Sequence, residues 1–219
     1  MFFPLSPRDY VVNWVLNESV DEKGMCDYGE IMDVQSKVHG KGDFPEGFDV
    51  TGLIRDLSDE VGYTSVIDFG CGHGRMCQSF DPKAYLGVDV DLHSIEQARK
   101  KFSEYRFDHL QEKVHCADLY LACNVFLHMS DQSVHEALKN IRCKWLILVE
   151  MLGRNWRAGQ VPPTYNRELS EYLELLRSHD LILHKHIKQP FKKYSDTSWY
   201  QDRNTDLSFI VFKKCFRSP

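Results

Sequence analysis

The stretch that decides the fold is Val66-Ile-Asp-Phe-Gly-Cys-Gly-His-Gly-Arg75. Four strand-forming residues run into three glycines spaced every second position, and the pattern then points into a helix. Glycines so placed let the backbone pass close to a ligand with no Cβ in the way. A dinucleotide fingerprint reads G-x-G-x-x-G, with its third glycine one place later than Gly74. Arg75 occupies that place here, which argues against NAD or FAD. Asp68 adds a carboxylate at the strand end, where an ammonium group is held and a pyrophosphate is repelled.

Working outward, the apolar pattern alternates between helical and strand periods, as in an α/β domain. Val50, Leu53, Ile54, Leu57 and Val61 share one helical face, and Gly62 offers the stop. Tyr85–Asp89 reads as a second strand, and Leu92 to Phe102 as a helix opened by Asp91. A short strand is placed near Tyr105 to Phe107. Asp118–Phe126 reads as a buried strand, and Val134 to Ile141 as an amphipathic helix with Ser133 and Glu136 spaced as a capping box. Trp145–Glu150 is the clearest strand. Leu169 to Leu176 gives one more helix. Leu181–Ile187 and Leu207–Phe212 have no helix between them, so they are expected to pair antiparallel. Residues 1–49 carry one helical pattern and then scattered glycines among charges. They read as a lid or as an extra edge helix with a linker, not as an independent domain.

Composition sets the limits. The chain has 219 residues, 27 Lys plus Arg against 32 Asp plus Glu, and a formal charge of −5. That balance does not suggest a general nucleic-acid binder. Hydrophobic residues at 42% are enough for a core, which excludes the disordered classes. Seven cysteines, never spaced C-x-x-C, give neither a disulfide framework nor a zinc knuckle, so the expected home is the reducing cytoplasm. No stretch approaches the roughly 18 apolar residues of a spanning helix, and no membrane partner is expected. No His/Asp/Glu cluster has metal-ligand spacing, so no metal is expected.

Asp89 ends the second strand 19 residues after Gly70, the distance at which a carboxylate accepts hydrogen bonds from both ribose hydroxyls. A nucleoside with an amino-acid tail suits Asp68 and Asp89 together. With these residues in place the sequence resembles the class I S-adenosylmethionine-dependent methyltransferases over roughly Thr51 to Phe216. The resemblance rests on the D-x-G-x-G-x-G loop (Asp68, Gly70, Gly72, Gly74), on Gly87 to Asp89, and on Asp118-Leu-Tyr-Leu-Ala-Cys-Asn-Val-Phe-Leu-His-Met129.

The resemblance implies a Rossmann-like, doubly wound, mostly parallel seven-stranded sheet with an antiparallel carboxyl-terminal hairpin, and a methyltransferase domain over residues 50–219. It implies S-adenosyl-L-methionine as cofactor and S-adenosyl-L-homocysteine as product. It further implies that Asp68, Gly70, Cys71, Gly72 and Gly74 approach the amino-acid end of the cofactor. Asp89 would then hold the ribose, Val90 would lie against the adenine, Asp108 would sit near the adenine amino group, and Asn124 and Val125 would line the cofactor.

His128, in the loop after the fourth strand of that family, is either a general base or a packed histidine. Glu150, at a strand's carboxyl end, is either a second base or an ordinary edge charge. His73 is read as a solvent-facing turn residue, and Cys71 and Cys77 as small fillers. Two insertions follow strands and face the same edge, Gly153–Pro163 and Lys188–Tyr200. In them Arg154, Trp156, Tyr194 and Trp199 offer charge and stacking, and His39 joins them if the first 49 residues form a lid. The acceptor expected is a small polar molecule, a sugar or phosphorylated metabolite, methylated on oxygen or nitrogen. A cofactor-binding regulatory protein and a nicotinamide oxidoreductase are the competing readings.

Overall fold

The computed structural model describes residues 49–110, 115–154, 164–190 and 206–215. The N-terminal segment read as a lid falls outside these, apart from Asp49. Helix α1 (Val50–Val61) buries Ile54 and Leu57 and stops at Gly62, whose φ of 71° no ordinary residue adopts easily. Strand β1 (Val66–Phe69) follows, then β2 (Tyr85–Asp89), helix α2 (Leu92–Lys101) and β3 (Arg106–His109). Asp91 caps α2, its carboxylate accepting from the amides of His93 and Ser94. Next come β4 (His115–Cys116), β5 (Leu119–Cys123), helix α3 (Asp131–Asn140), β6 (Ile141–Arg142), β7 (Trp145–Leu152) and helix α4 (Leu169–Arg177). Strands β8 (Leu181–Pro190) and β9 (Asp206–Lys214) complete the described elements.

Seven strands form one sheet in the order β3-β2-β1-β5-β7-β9-β8. All neighbours are parallel except β9, which runs antiparallel to both β7 and β8. The expected hairpin is therefore present. The central strands are buried on both faces, which is why they read as continuous apolar runs. One face packs Val66, Leu119, Leu121, Ile147, Val149 and Phe209 under α1 and α2. The other packs Ile67, Tyr120, Leu146, Leu148 and Phe212 under α3 and α4. Each such side chain is worth about 1.5–3 kcal/mol of burial. The chain winds outward from β1 to one side and returns through β5 to the other. A crevice is thus fixed at the carboxyl ends of β1 and β5.

Several boundaries differ from the sequence expectation, each for a local reason. No α-helix follows the glycines: the chain makes turns and a single three-residue 3-10 turn, Cys77–Ser79. Gly72 and Gly74 have φ of 51° and 76°, which a right-handed helix cannot contain. Strand β5 stops at Cys123 rather than Phe126, because Asn124 turns left-handed with φ 57° and Phe126–His128 form a second 3-10 turn. Helix α3 is capped by Ser130, which accepts from the Ser133 amide, so Ser133 lies inside the helix rather than at its cap. The two-residue pair β4–β6 has no periodicity a sequence could reveal. At the edge opposite the crevice, Asp118 accepts from the Thr64 amide and pairs with Lys144, which holds its carboxyl down at about 2. Asp118 is thus a strand-start anchor.

Candidate functional site

The loop after β1 curls back onto β2, with the amides of Gly70 and Cys71 both donating to Val88 O at 2.8 and 3.1 Å. Its three glycines do different work. A Cβ at Gly70 would lie 2.6 Å from Val125 Cγ2, and one at Gly74 would lie 2.7 Å from the Phe107 ring. These two are glycines because protein side chains crowd them. Gly72 instead turns its N–H toward Asp89 Oδ2 at 2.8 Å, while the Asp91 amide donates to Asp89 Oδ1 at 2.9 Å. Burial pushes the Asp89 carboxyl up and these amides oppose it. The carboxyl group keeps acceptor capacity for another donor.

Asp68 corrects a sequence expectation. Its carboxyl group is only 1% exposed and accepts from the Tyr85 hydroxyl at 2.7 Å, so it is not open to hold an ammonium group directly. Burial pushes it up to about 7, against the pull of Tyr85 and the Arg75 guanidinium. Arg75, the residue at the place of the third fingerprint glycine, reaches Cys123 Sγ at 3.8 Å. It therefore places a cation at the crevice between β1 and β5. Cys71 and Cys77 are buried fillers whose thiols burial pushes upward, Cys77 to about 12. His73 also departs from expectation: its Nε2 is buried, with no hydrogen-bond partner among the described residues.

Across the crevice, the left-handed Asn124 donates its amide to Val149 O at 2.8 Å, and Val125 stands over Gly70. His128 closes the 3-10 turn, half-buried, with its amide on Val125 O. Glu150 lies beneath this turn and is fully buried. Its Oε1 accepts from the amides of Val125 and Phe126 at 3.1 and 2.8 Å, and its Oε2 from Leu127 at 3.3 Å. Burial pushes its carboxyl up to about 8, with the three amides and Arg167 opposing. A group sealed in this way cannot reach an acceptor, so Glu150 is an anchor for the turn rather than a base. The strand's alternation explains it: Glu150 shares the α3/α4 face with Leu146, Leu148 and Leu152.

Residues 67–146 match the family model of a methyltransferase domain. The fold is also that of solved methyltransferases. An S-adenosylmethionine-dependent methyltransferase from Clostridium acetobutylicum superposes with TM-score 0.62 at 12% identity, covering 85% of this chain and 98% of its own. The chain thus has the fold of these enzymes, and residues 67–146 match a methyltransferase domain. A TehB-like methyltransferase from Corynebacterium glutamicum gives TM-score 0.56 at 19% identity, over 86% and 97% of the two chains. The O-methyltransferase of a trans-AT polyketide synthase multienzyme from Brevibacillus brevis, determined with S-adenosyl-L-homocysteine, gives 0.52 at 12% identity over 78% and 82%. A comparison with curated proteins finds no match.

The remaining expected residues fall into two groups. Asp108 lies on the edge strand β3, 64% exposed, paired at 3.6 Å with Arg99 of α2. Its neighbour His109 is instead the register partner of Asp89 and sets its Nε2 3.0 Å from Val90 O. Arg154 pairs at 3.1 Å with Glu171 in the first turn of α4, so it is tied to the helix. His39, Trp156, Tyr194 and Trp199 lie outside the described residues. Sequence reasoning missed Tyr85, His109 and Arg167. The first sat in a strand and the last in an aperiodic connection, and neither position carries a motif. No helix among the described residues is long and apolar enough to cross a membrane.

The edge suits a nucleoside with an amino-acid tail. Asp89 retains acceptor capacity, and the loop carries a buried His73 nitrogen without a partner among the described residues.

Proposed function

We propose that this carboxyl edge binds S-adenosyl-L-methionine and that the protein transfers its methyl group to an oxygen or nitrogen of a small polar acceptor, such as a sugar or phosphorylated metabolite. The observation that carries the reading is the carboxylate of Asp89 held between the Gly72 and Asp91 amides at the carboxyl end of β2, one strand from the point between β1 and β5 where the strand order reverses. When bound, the cofactor supplies an electrophilic methyl group on a sulfonium. Asp89 would accept the ribose hydroxyls, Val90 would flank the purine, and Asn124 and Val125 would form the opposite wall. The backbone of Cys71 and Gly72 would face the amino-acid end, with Arg75 the cation at that crevice.

Because Glu150 is sealed beneath the turn, a hydroxyl acceptor would depend on His128 for proton removal. A carboxylate, or an amine already neutral, would need only orientation against the methyl group. His128 lies on the same turn as Val125, so acceptor and cofactor would be positioned by one short segment.

Calorimetric titration with S-adenosylmethionine, S-adenosylhomocysteine and NADH tests the reading, using wild type, Asp89→Ala and Gly72→Val. Binding of the first two ligands by wild type alone supports it, and transfer of labelled methyl to members of an acceptor panel completes it. Binding without transfer to any acceptor makes the protein a cofactor-binding regulator. NADH binding in place of the methionine nucleosides sinks the methyltransferase reading.

A further inference from the structure

The turn that faces the crevice is gripped from both ends by buried side chains. At its amide end, Glu150 accepts from Val125, Phe126 and Leu127. At its carbonyl end, Arg167 donates through Nη1 to Phe126 O at 2.8 Å and through Nη2 to Met129 O at 2.6 Å. Leu127 O is taken by the Tyr165 amide at 2.7 Å. Carboxyl oxygens that accept at the amide pole and a guanidinium that donates at the carbonyl pole satisfy the open ends of a helical turn.

Arg167 is itself fixed. It is 5% exposed, its Nε and Nη2 hold Asp131 Oδ1 at 2.9 and 2.6 Å, and the rings of Tyr165 and Tyr172 flank its guanidinium. The segment carrying it is distant in sequence from the turn it holds. Such saturation leaves one position for the turn and hence one for Val125, which packs directly on Gly70.

We propose that Arg167 is a positioning residue. Acting with Glu150 on the peptide groups of Val125 to Met129, it sets Val125 against Gly70 and so fixes the glycine loop and His128 from the far half of the sheet. The proposal rests on the reading of this edge as the cofactor site. Neither side chain need touch the ligand: both act through the turn.

The test compares wild type with Arg167→Met, Arg167→Lys and the surface variant Asp131→Asn. Each is measured by calorimetric affinity for S-adenosylhomocysteine and by amide hydrogen exchange resolved along the chain. In Arg167→Met, exchange at Phe126 to Met129 rises about tenfold or more while β1 and β2 stay at wild-type protection. Affinity falls about tenfold, as expected when a supporting group lets a binding wall shift. Lysine, which reaches one carbonyl but not both, restores part of each. Asp131→Asn, at a side chain 72% exposed, loosens the same amides and weakens binding about threefold without loss of fold.

Unchanged affinity in a folded Arg167→Met, or weakening matched by faster exchange throughout the sheet, overturns the positioning role. If Arg167→Met does not fold, Asp131→Asn decides by the same two readings. Wild-type protein that binds no S-adenosylhomocysteine overturns the cofactor reading, and the positioning role with it. Wild-type binding that the variants leave untouched overturns the positioning role alone.

Discussion

The N–H of Gly72 donates to Asp89 Oδ2, and the same carboxylate takes the Asp91 amide on its other oxygen, so the turns after β1 and β2 share one acceptor group. Asp89→Asn puts an NH2 group where one of those oxygens stood. One backbone amide then loses its acceptor and meets a second donor. The expected cost is about 1–3 kcal/mol of stability, read by urea denaturation. Affinity for S-adenosylhomocysteine is expected to fall about tenfold or more, because charge-assisted hydrogen bonds to the ribose are lost as well. An unchanged affinity would remove Asp89 from the site.

Gly70 and Val125 make a second joint, tight enough to separate two causes of the same loss. Gly70→Ala would bring its Cβ to 2.6 Å from Val125 Cγ2 and would also have to adopt φ 73°. Left-handed backbone costs about 1–2 kcal/mol for a residue with a Cβ, and overpacking about 1–3 kcal/mol more. The double variant Gly70→Ala/Val125→Ala relieves the crowding but not the backbone. Denaturant unfolding should therefore place it above Gly70→Ala and below Val125→Ala. A double variant no more stable than Gly70→Ala would show that crowding is not the reason for the glycine.

Asp68 gives the protein a pH dependence with a definite sign. Its carboxyl sits at about 7 when folded against an ordinary 3.8. Folded protein therefore retains a proton that the unfolded chain has released. That contribution to stability is complete below the ordinary value and is lost as pH rises through about 7. Glu150, at about 8, acts in the same direction. Between about pH 5 and pH 7 the wild type should lose stability at up to about 1.4 kcal/mol per pH unit for each such group. Asp68→Asn keeps an acceptor for the Tyr85 hydroxyl and carries no titrating proton, so its profile should be flatter by one group. Equal slopes for the two proteins in urea unfolding from pH 5 to 8 would place the effect elsewhere.

Most of the fold was legible because the sheet interior writes itself as apolar runs. Trp145–Glu150 and Asp118–Phe126 read as buried strands and lie in β7 and β5, though with shifted ends, and the two terminal strands without a helix between them pair antiparallel as expected. The geometry of the candidate site was legible only where a motif fixes backbone conformation, as at Gly70, Gly72 and Asp89. It failed where one residue of alternation decides which face a side chain takes. Glu150 stands at the right strand end but points into the α3/α4 layer, and only the packed structure tells the two faces apart. Arg167 lies in a connection with no period at all, and its partners are brought near by the fold rather than by sequence spacing. The helix expected after Gly74 is absent because three glycines with positive φ leave little chain for a helix before Asp81-Pro82.

The same one-residue alternation separates Asp108 from His109. Register pairs Asp89 with His109 and places the imidazole Nε2 at 3.0 Å from Val90 O, so His109 braces the turn that would flank a purine. Asp108 is an exposed strand-edge carboxylate facing Arg99 at 3.6 Å, an arrangement worth about 0–1 kcal/mol. Asp108→Ala is therefore expected to leave affinity for S-adenosylhomocysteine within about twofold and stability within about 0.5 kcal/mol. His109→Ala removes the brace on Val90 and should weaken binding several-fold with a smaller effect on the sheet, since β3 keeps its backbone pairing with β2. Calorimetry on the two variants side by side ranks them. A large loss for Asp108→Ala with none for His109→Ala would return the purine contact to the carboxylate and require β3 to shift its register when ligand binds.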